Sequence, residues 1–393
     1  MKTVIAIDSF KGSLSSLEAG YAAQRGVRRV YPDADIKVLP LADGGEGTVE
    51  AIVYATDGEI IKAEVTSALG DRIIAEYGVI NGKTAVIEMA AAAGITLVPL
   101  KERNPLYTTT YGVGELILDA IDRGCRDFLI GIGGSATNDG GIGMLLALGF
   151  DLLDRSGKRV SMFGKGLADI QSIKTDGAKK ELSECRFRIA CDVKNPLCGE
   201  NGCSAVYGPQ KGATPEIIRD MDAWLLQFSR LTERTLGVSY ADCFGAGAAG
   251  GLGFALTSYL SAQMVSGIEL VTEAIGLESI VTNADIVITG EGRLDGQSAM
   301  GKAPVGVARL AKRHGIPVIA FSGAVAPDAA KNNDEGIDAF FPIVRAPITL
   351  SEAMDKSNAQ SNMADTVEQV LRLYKAINAN NYIQKTRRAK NDL

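Results

Sequence analysis

Four loops of this chain concentrate the residue types that hold anions and move protons. They are Asp8-Ser9-Phe10-Lys11-Gly12-Ser13, Asp43-Gly44-Gly45-Glu46-Gly47, Gly133-Gly134-Ser135-Ala136-Thr137-Asn138-Asp139, and Glu291-Gly292-Arg293-Leu294-Asp295 continuing to Gly301-Lys302. Glycines let a backbone approach a ligand closely and turn successive N–H groups toward it, so the natural guest of such a loop is an anion. Ser9 and Lys11, and Arg293 and Lys302 on the last loop, add donors and positive charge for a phosphate or carboxylate. Ser135, Thr137, Asn138 and Asp139 put hydroxyl, amide and carboxylate at the mouth of the glycine loop. Asp43 and Glu46 suit magnesium or a substrate hydroxyl. A fifth group follows Asp192: Asn195, then Lys211 within Gly208-Pro209-Gln210-Lys211-Gly212, an acid with amide and lysine side chains nearby. Each feature has a plainer use. Asn138, Asp139, Asp43 or Glu46 can cap a helix, and Lys11 can be a solvated loop lysine. The single histidine, His314 in Lys-Arg-His-Gly, sits where a helix C-cap is expected, so carboxylates and lysines are the acid–base groups and a Ser/His/Asp hydrolase is disfavoured.

The elements that must carry these loops are short apolar strands followed by helices. Val4 to Ile7, Ile36 to Leu39, Phe128 to Ile132, Ile286 to Ile288, Val318 to Phe321 and Ala339 to Ile343 are six candidate parallel strands, and the polar loops leave their carboxyl ends. In an open parallel sheet that edge is where ligands bind, which predicts a single cleft. Helices are expected at Ser16 to Arg29, Thr48 to Thr56, Gly114 to Arg123 and Pro215 to Leu236, the last burying Met221, Trp224, Leu225 and Phe228. Between Gly58 and Ala90 the texture changes to strands and turns, with Asn81-Gly82 as a hairpin signal. The expected fold is therefore α/β: a Rossmann-like parallel sheet of about six strands with a second, strand-rich α/β domain inserted. The expected boundaries are 1–57, 105–149 and 284–378 for the first domain, 58–104 and 150–283 for the insert, and 379–393 for a polar, basic tail.

Composition narrows the function. A chain of 393 residues with 46% hydrophobic and 22% charged residues has the makeup of a globular protein with a sizeable core. No run approaches the roughly 18 uninterrupted apolar residues of a membrane span, and the start goes straight into a strand without a leader pattern, so a cytoplasmic protein off the membrane is expected. A net charge of −6 argues against general nucleic-acid binding. Six cysteines without a C-x-x-C pair point to reduced thiols. Three short glycine patterns are weak: Gly131, Gly133 and Ala136, and Gly245, Gly247 and Gly250, have dinucleotide-loop spacing, while Gly296, Gly301 and Lys302 have Walker A spacing with Ala303 where a magnesium-binding hydroxyl would stand.

Longer segments are more specific. DSFKGSLS at Asp8, PLADGGEGT at Pro40, TTTYGVGELI at Thr108, IGIGGSATNDGGIGM at Ile130, DVKNPLCGENG at Asp192, YGPQKGA at Tyr207, GAGAAGGLG at Gly245 and ITGEGRLDGQSAMGKAPVGVA at Ile288 closely resemble, in this order, the bacterial glycerate kinase family, including its glycerate 2-kinases. The resemblance spans roughly residues 2 to 375. It implies two α/β domains with the site between them, ATP with Mg2+, and phosphorylation of D-glycerate, with the 2-hydroxyl favoured over the 3-hydroxyl. Phosphoryl transfer asks a protein mainly for positioning and charge stabilisation, which these loops can supply without histidine. On that reading Lys11 and the loop from Gly133 to Asp139 hold anionic oxygens, Arg293 and Lys302 contribute charge, and Asp192 accepts or orients the glycerate hydroxyl. Lys11 and Glu291 join Asp192 as catalytic candidates. Asp43, Glu46 and Glu291 are the magnesium candidates, and Ser9, Asp43, Asn195, Lys211 and Asp295 complete the substrate contacts. The partners are then small molecules. Two rivals are a nicotinamide-dependent dehydrogenase of a small hydroxy acid, from the glycine fingerprints, and a non-catalytic sugar-acid-binding protein.

Overall fold

The computed structural model describes the backbone of residues 1–391 and the side chains of residues 1–378. Strands run in chain order as β1 (Lys2–Ile7), β2 (Asp35–Pro40), β3 (Glu59–Thr66), β4 (Arg72–Ile80), β5 (Thr84–Glu88), β6 (Asp127–Gly131) and β7 (Asp151–Leu153). They continue as β8 (Ser172–Lys174), β9 (Arg186–Ala190), β10 (Gln263–Val265), β11 (Ile286–Leu294), β12 (Val318–Val325) and β13 (Ala339–Pro342). Two compact units result: Met1–Ala42 with Thr272–Leu393, and Asp43–Val271. No helix among the described residues is long and apolar enough to cross a membrane.

The first unit holds a five-stranded sheet in the order β13-β12-β11-β1-β2, every pair parallel. Chain order therefore runs one way from β1 to β2 and the other way from β11 outward. With right-handed crossovers, the helices after β1 and β11 leave on opposite faces, and a crevice opens at the carboxyl ends of those two strands. The helix Ser16–Val30 starts with a reciprocal cap: Glu18 N–H donates to Ser15 Oγ at 3.3 Å and Ser15 N–H to Glu18 Oε2 at 3.0 Å. Its apolar stripe, including Ala23 and Val27, packs on Ile5, Ile7, Ile286, Ile288 and Phe321 with Met363 and Val367. The helix Ala303–Arg313 carries Pro304 in its first turn and ends on His314 as C-cap, the structural place expected of that histidine.

The second unit holds a mixed sheet, β10-β9-β6-β5-β4-β3, and a small antiparallel pair, β7 with β8. From β5 to β10 the ladders are parallel, while β3, β4 and β5 pair antiparallel. Asn81 and Gly82 take φ of 52° and 64°, the two positive values that a tight β4–β5 hairpin needs. Phe128 and Phe187 stack with centroids 4.8 Å apart across β6 and β9. Met221, Leu225 and Phe228 of the helix Pro215–Leu236 complete the same core, with Trp224 partly buried against it.

Two sequence expectations change here. The strand at Phe128 does not join the Rossmann-like sheet, which has five strands instead of six; it is β6 of the second sheet, so residues 43–57 and 105–149 belong with the second unit. A strand buried on both faces is an apolar run whichever sheet it enters, so its texture cannot say which. The second unit is correspondingly one continuous stretch, 43–271, placed within the first. Of the tail 379–393, the helix Lys356–Asn391 covers the backbone to Asn391; the side chains from 379 onward and the last two residues lie outside the described residues.

Candidate active site

In the first unit the polar groups gather at the carboxyl ends of β1 and β11, the strands flanking the winding reversal. Asp8 is buried, and its Oδ1 accepts the Ser9 N–H at 2.6 Å. The chain then makes a tight turn, with Phe10 and Leu14 exchanging backbone hydrogen bonds, and leaves Lys11 exposed next to Gly12, whose φ is +78°. Glu291, inside β11, is 8% exposed, and its Oε1 has no hydrogen-bond partner. Burial pushes the Glu291 carboxyl up from its ordinary 4.5 to about 7; the Ser298 hydroxyl and the Lys302 ammonium pull it down, and the Asp8 and Asp295 carboxylates push it further up. Asp295 Oδ1 accepts the N–H of Gln297 at 2.9 Å and of Ser298 at 3.2 Å, folding the loop between β11 and Lys302, the N-cap of the next helix. Arg293 is exposed, 3.8 Å from Asp295 Oδ2. A Cβ added to Gly292 would meet nothing nearer than Phe10 Cα at 3.4 Å, so neither packing nor φ demands glycine there.

In the second unit the corresponding edge is built from backbone lying on backbone. A Cβ on Gly131, at the end of β6, would come 2.3 Å from the Gly44 carbonyl oxygen. One on Gly44 would meet Ala190 Cβ at 2.4 Å, and one on Gly267 would run into the Asp43 carbonyl oxygen. The segment from Asp43 to Gly45 thus lies across the ends of β6, β9 and β10, and only glycine permits it. Asp192 leaves β9 with its side chain open to solvent, and Gly267 N–H donates to its Oδ1 at 3.2 Å. The protein crowding that carboxylate still raises its pKa, helped by Asp43 and opposed by Gly267 N–H and the Ser266 hydroxyl. Gly133 and Gly134 are exposed, and a Cβ on Gly133 would reach only Gly45 Cα at 3.4 Å.

Several residues expected to touch ligand instead support the loops. Asp139 is fully buried and accepts from Thr110 N–H and Oγ1 (both 2.8 Å), Gly141 N–H (3.1 Å) and Gly143 N–H (3.3 Å). Asn138 is equally buried and donates to Ser204 Oγ at 2.8 Å, and Thr137 has no exposed surface. Asn195 spans its own loop, accepting from Tyr207 Oη at 2.7 Å and donating to the Asn201 carbonyl at 2.8 Å. Thr137, Asn138 and Asp139 are shut away from ligand, while the half-buried Asn195 has both amide atoms engaged within its own loop. Lys211, expected on a site wall, is buried behind Ser135, 2.7 Å from its Oγ. Neither Asp43 nor Glu46 caps the helix Thr48–Ala55; Glu88, at the end of β5, does, accepting Val49 N–H at 2.8 Å. Glu88, Ser266 and Gly267 escaped the sequence reading, although each is a polar or glycine residue at the exit of an apolar strand.

The glycine fingerprints do not form dinucleotide turns. After β6 the helix starts only at Ile142, and Ala136 N–H is spent on the Ala93 carbonyl. Gly245 to Gly250 follows a helix and a loop, not a strand. The dehydrogenase reading loses its structural support.

Two α/β units with polar loops, glycines and perturbed carboxylates at the carboxyl edges of parallel strands define an enzyme class that handles small anionic substrates. The model of the glycerate kinase family matches residues 3–375, and this chain belongs to that family. The glycerate kinase of Haemophilus influenzae is 50% identical over 374 residues, covering 95% of this chain and 98% of its own. The glycerate 2-kinase of Escherichia coli is 48% identical over 354 residues, covering 90% and 93%. A crystal structure of a protein assigned as glycerate kinase 2 from Salmonella typhimurium LT2 superposes with a TM-score of 0.88 at 49% identity, covering 96% of this chain and 99% of that one.

Proposed function

We propose that this protein transfers the γ-phosphoryl group of ATP to D-glycerate, giving ADP and phosphoglycerate, with the 2-hydroxyl as the favoured acceptor. The observation that carries this reading is family membership over nearly the whole of both chains, with a glycerate 2-kinase among the relatives. A cytoplasmic home follows from the need for ATP.

Asp192 is the proposed partner of the acceptor hydroxyl. Gly267 N–H and Ser266 fix its orientation, and its raised pKa brings it closer to that of a working base than an ordinary aspartate. As the hydroxyl oxygen bonds to the γ-phosphorus and the bond to ADP breaks, the hydroxyl proton passes to the Asp192 carboxylate. Lys11, Arg293 and Lys302 supply charge to the phosphate oxygens from the first unit, and Ser9 and Asp295 shape the loops that present them. In the second unit the N–H groups of Gly133 and Gly134 and the Ser135 hydroxyl offer donors to a substrate anion.

Magnesium, which neutralises phosphate charge in such reactions, takes one or two carboxylates and keeps several waters. Among the described residues no three His, Cys, Asp or Glu side chains are grouped as a protein-only metal cage would need. A single carboxylate with a spare oxygen fits better. Glu291, with its unpartnered Oε1 beside Asp8 and Asp295, would hold the ion. Asp43 and Glu46 are the second-unit candidates, of which Asp43 Oδ1 already accepts Gly45 N–H at 3.3 Å.

Incubation with D-glycerate, ATP and magnesium tests the proposal. ADP in step with phosphoglycerate is expected, and phosphorus NMR identifies the hydroxyl. No ADP, or NADH formed from NAD and glycerate, overturns it.

A further inference from the structure

A cation shut inside the second unit faces no committed anion. Lys211 is 2% exposed, and its Nζ donates to Ser135 Oγ at 2.7 Å and to the Thr137 carbonyl at 2.5 Å, both neutral acceptors. The charged or titratable groups around it are Asp139, the Cys203 thiol and, from the segment packed on Pro209–Lys211, Arg103. Asp139 is already bound by Thr110, Gly141 and Gly143. Burying an ammonium without a dedicated partner is costly, so the position calls for a compensating use.

Hydrogen-bond direction supplies one. An ammonium only donates, so Ser135 Oγ is the acceptor in this pair and its own proton must point elsewhere. No described residue accepts that proton, and the N–H groups of Gly133, Gly134 and Ser135 likewise donate to no described residue. Gly133 and Gly134 are exposed, and Gly133 needs no glycine for packing or φ.

We infer that Lys211 is a positioning residue: by donating to Ser135 Oγ it turns the Ser135 O–H outward, where it and the Gly133–Ser135 backbone receive a substrate oxyanion, the carboxylate of glycerate. The choice of carboxylate over phosphate rests on neighbouring strands. The loop of Ser135 leaves β6 and Asp192 leaves β9, and these strands pair directly, so adjacent exits hold a carboxylate and the hydroxyl on the next carbon. The inference depends on the glycerate kinase reading and deepens it.

The direction of the Lys211–Ser135 bond also makes it sensitive to pH. Burial lowers the Lys211 pKa to about 8. Above that, a neutral amine can accept, and the Ser135 hydroxyl turns inward, away from substrate.

The test is steady-state kinetics of the full chain. For the wild type, KM for D-glycerate is expected to rise several-fold between pH about 7 and about 9, with KM for ATP little changed. Ser135→Ala is expected to raise KM for D-glycerate about tenfold at neutral pH and to abolish that rise, while keeping the native circular dichroism. Lys211→Met should behave alike if it folds; Ser135→Ala decides the matter if it does not. Unchanged KM for D-glycerate in Ser135→Ala, or a change confined to KM for ATP, overturns the inference. A wild type that makes no ADP overturns the kinase reading instead, so the two failures are distinct.

Discussion

The carboxyl edges of the two sheets present polar groups by different physical means. In the first unit, winding reverses between β1 and β11, and topology alone opens the place where Asp8, Lys11, Glu291 and Arg293 emerge. In the second, β5, β6, β9 and β10 follow one another in chain order, with no reversal. There the edge is made by laying the Asp43–Gly45 backbone across three strand ends, with Gly44, Gly131 and Gly267 as the residues that permit contact. The charge differs as well. The first edge pairs exposed cations with a buried carboxyl held near neutrality, whereas the second offers backbone N–H groups backed by a buried lysine. A reversal tolerates side-chain change at its rim. A glycine-on-glycine edge does not.

The largest effect is expected from Asp192→Asn, which removes the proton acceptor and should lower kcat by about 10²–10⁴-fold with the fold intact. Wild-type kcat in that variant would move the base to the other edge. Lys11→Ala should cost about 2.7–4 kcal/mol of barrier, read as kcat/KM, without a change in thermal midpoint, because the side chain is exposed. Full turnover would remove Lys11 from the site.

Glu291→Gln separates stability from activity. The folded protein keeps a proton on Glu291 that the unfolded chain releases between pH 4.5 and about 7, so stability falls as pH rises through that window and stays lowered above it. The variant should therefore gain about 1–3 kcal/mol at pH above about 7, seen as a higher urea midpoint, while losing activity. An unchanged or lower midpoint would mean that the carboxylate is satisfied in the free protein.

The glycine pairs give the smallest and sharpest contrast. Gly267→Ala puts a Cβ onto the Asp43 carbonyl and should destabilise by about 1–3 kcal/mol or more. Gly133→Ala and Gly292→Ala meet nothing nearer than 3.4 Å. They should leave the unfolding free energy within about 0.5 kcal/mol of wild type and raise KM, since only a ligand needs the space.

The strand exits, the Asn81-Gly82 hairpin, the helix Pro215–Leu236 and the cap at His314 were legible because each depends on local pattern. Sheet membership of β6 was not, because a doubly buried strand looks alike in either sheet. Nor was the supporting role of Asp139, Asn138, Asn195 and Lys211. Thr110, which donates twice to Asp139, lies 29 residues away and Ser135, which accepts from Lys211, lies 76 away, and a polar residue beside glycines reads the same whether it faces ligand or core. Glu88 was hidden for the same reason, capping a helix 39 residues earlier in the chain.

Hydrogen exchange of the full protein, free and with D-glycerate, magnesium and a non-hydrolysable ATP analogue, tests most directly whether both edges serve one phosphoryl transfer. Slower exchange is expected at Ser9–Leu14 and Glu291–Lys302 in the first unit and at Asp43–Gly47, Gly133–Ser135 and Gly267 in the second. Protection confined to one unit would contradict a reaction that draws on both.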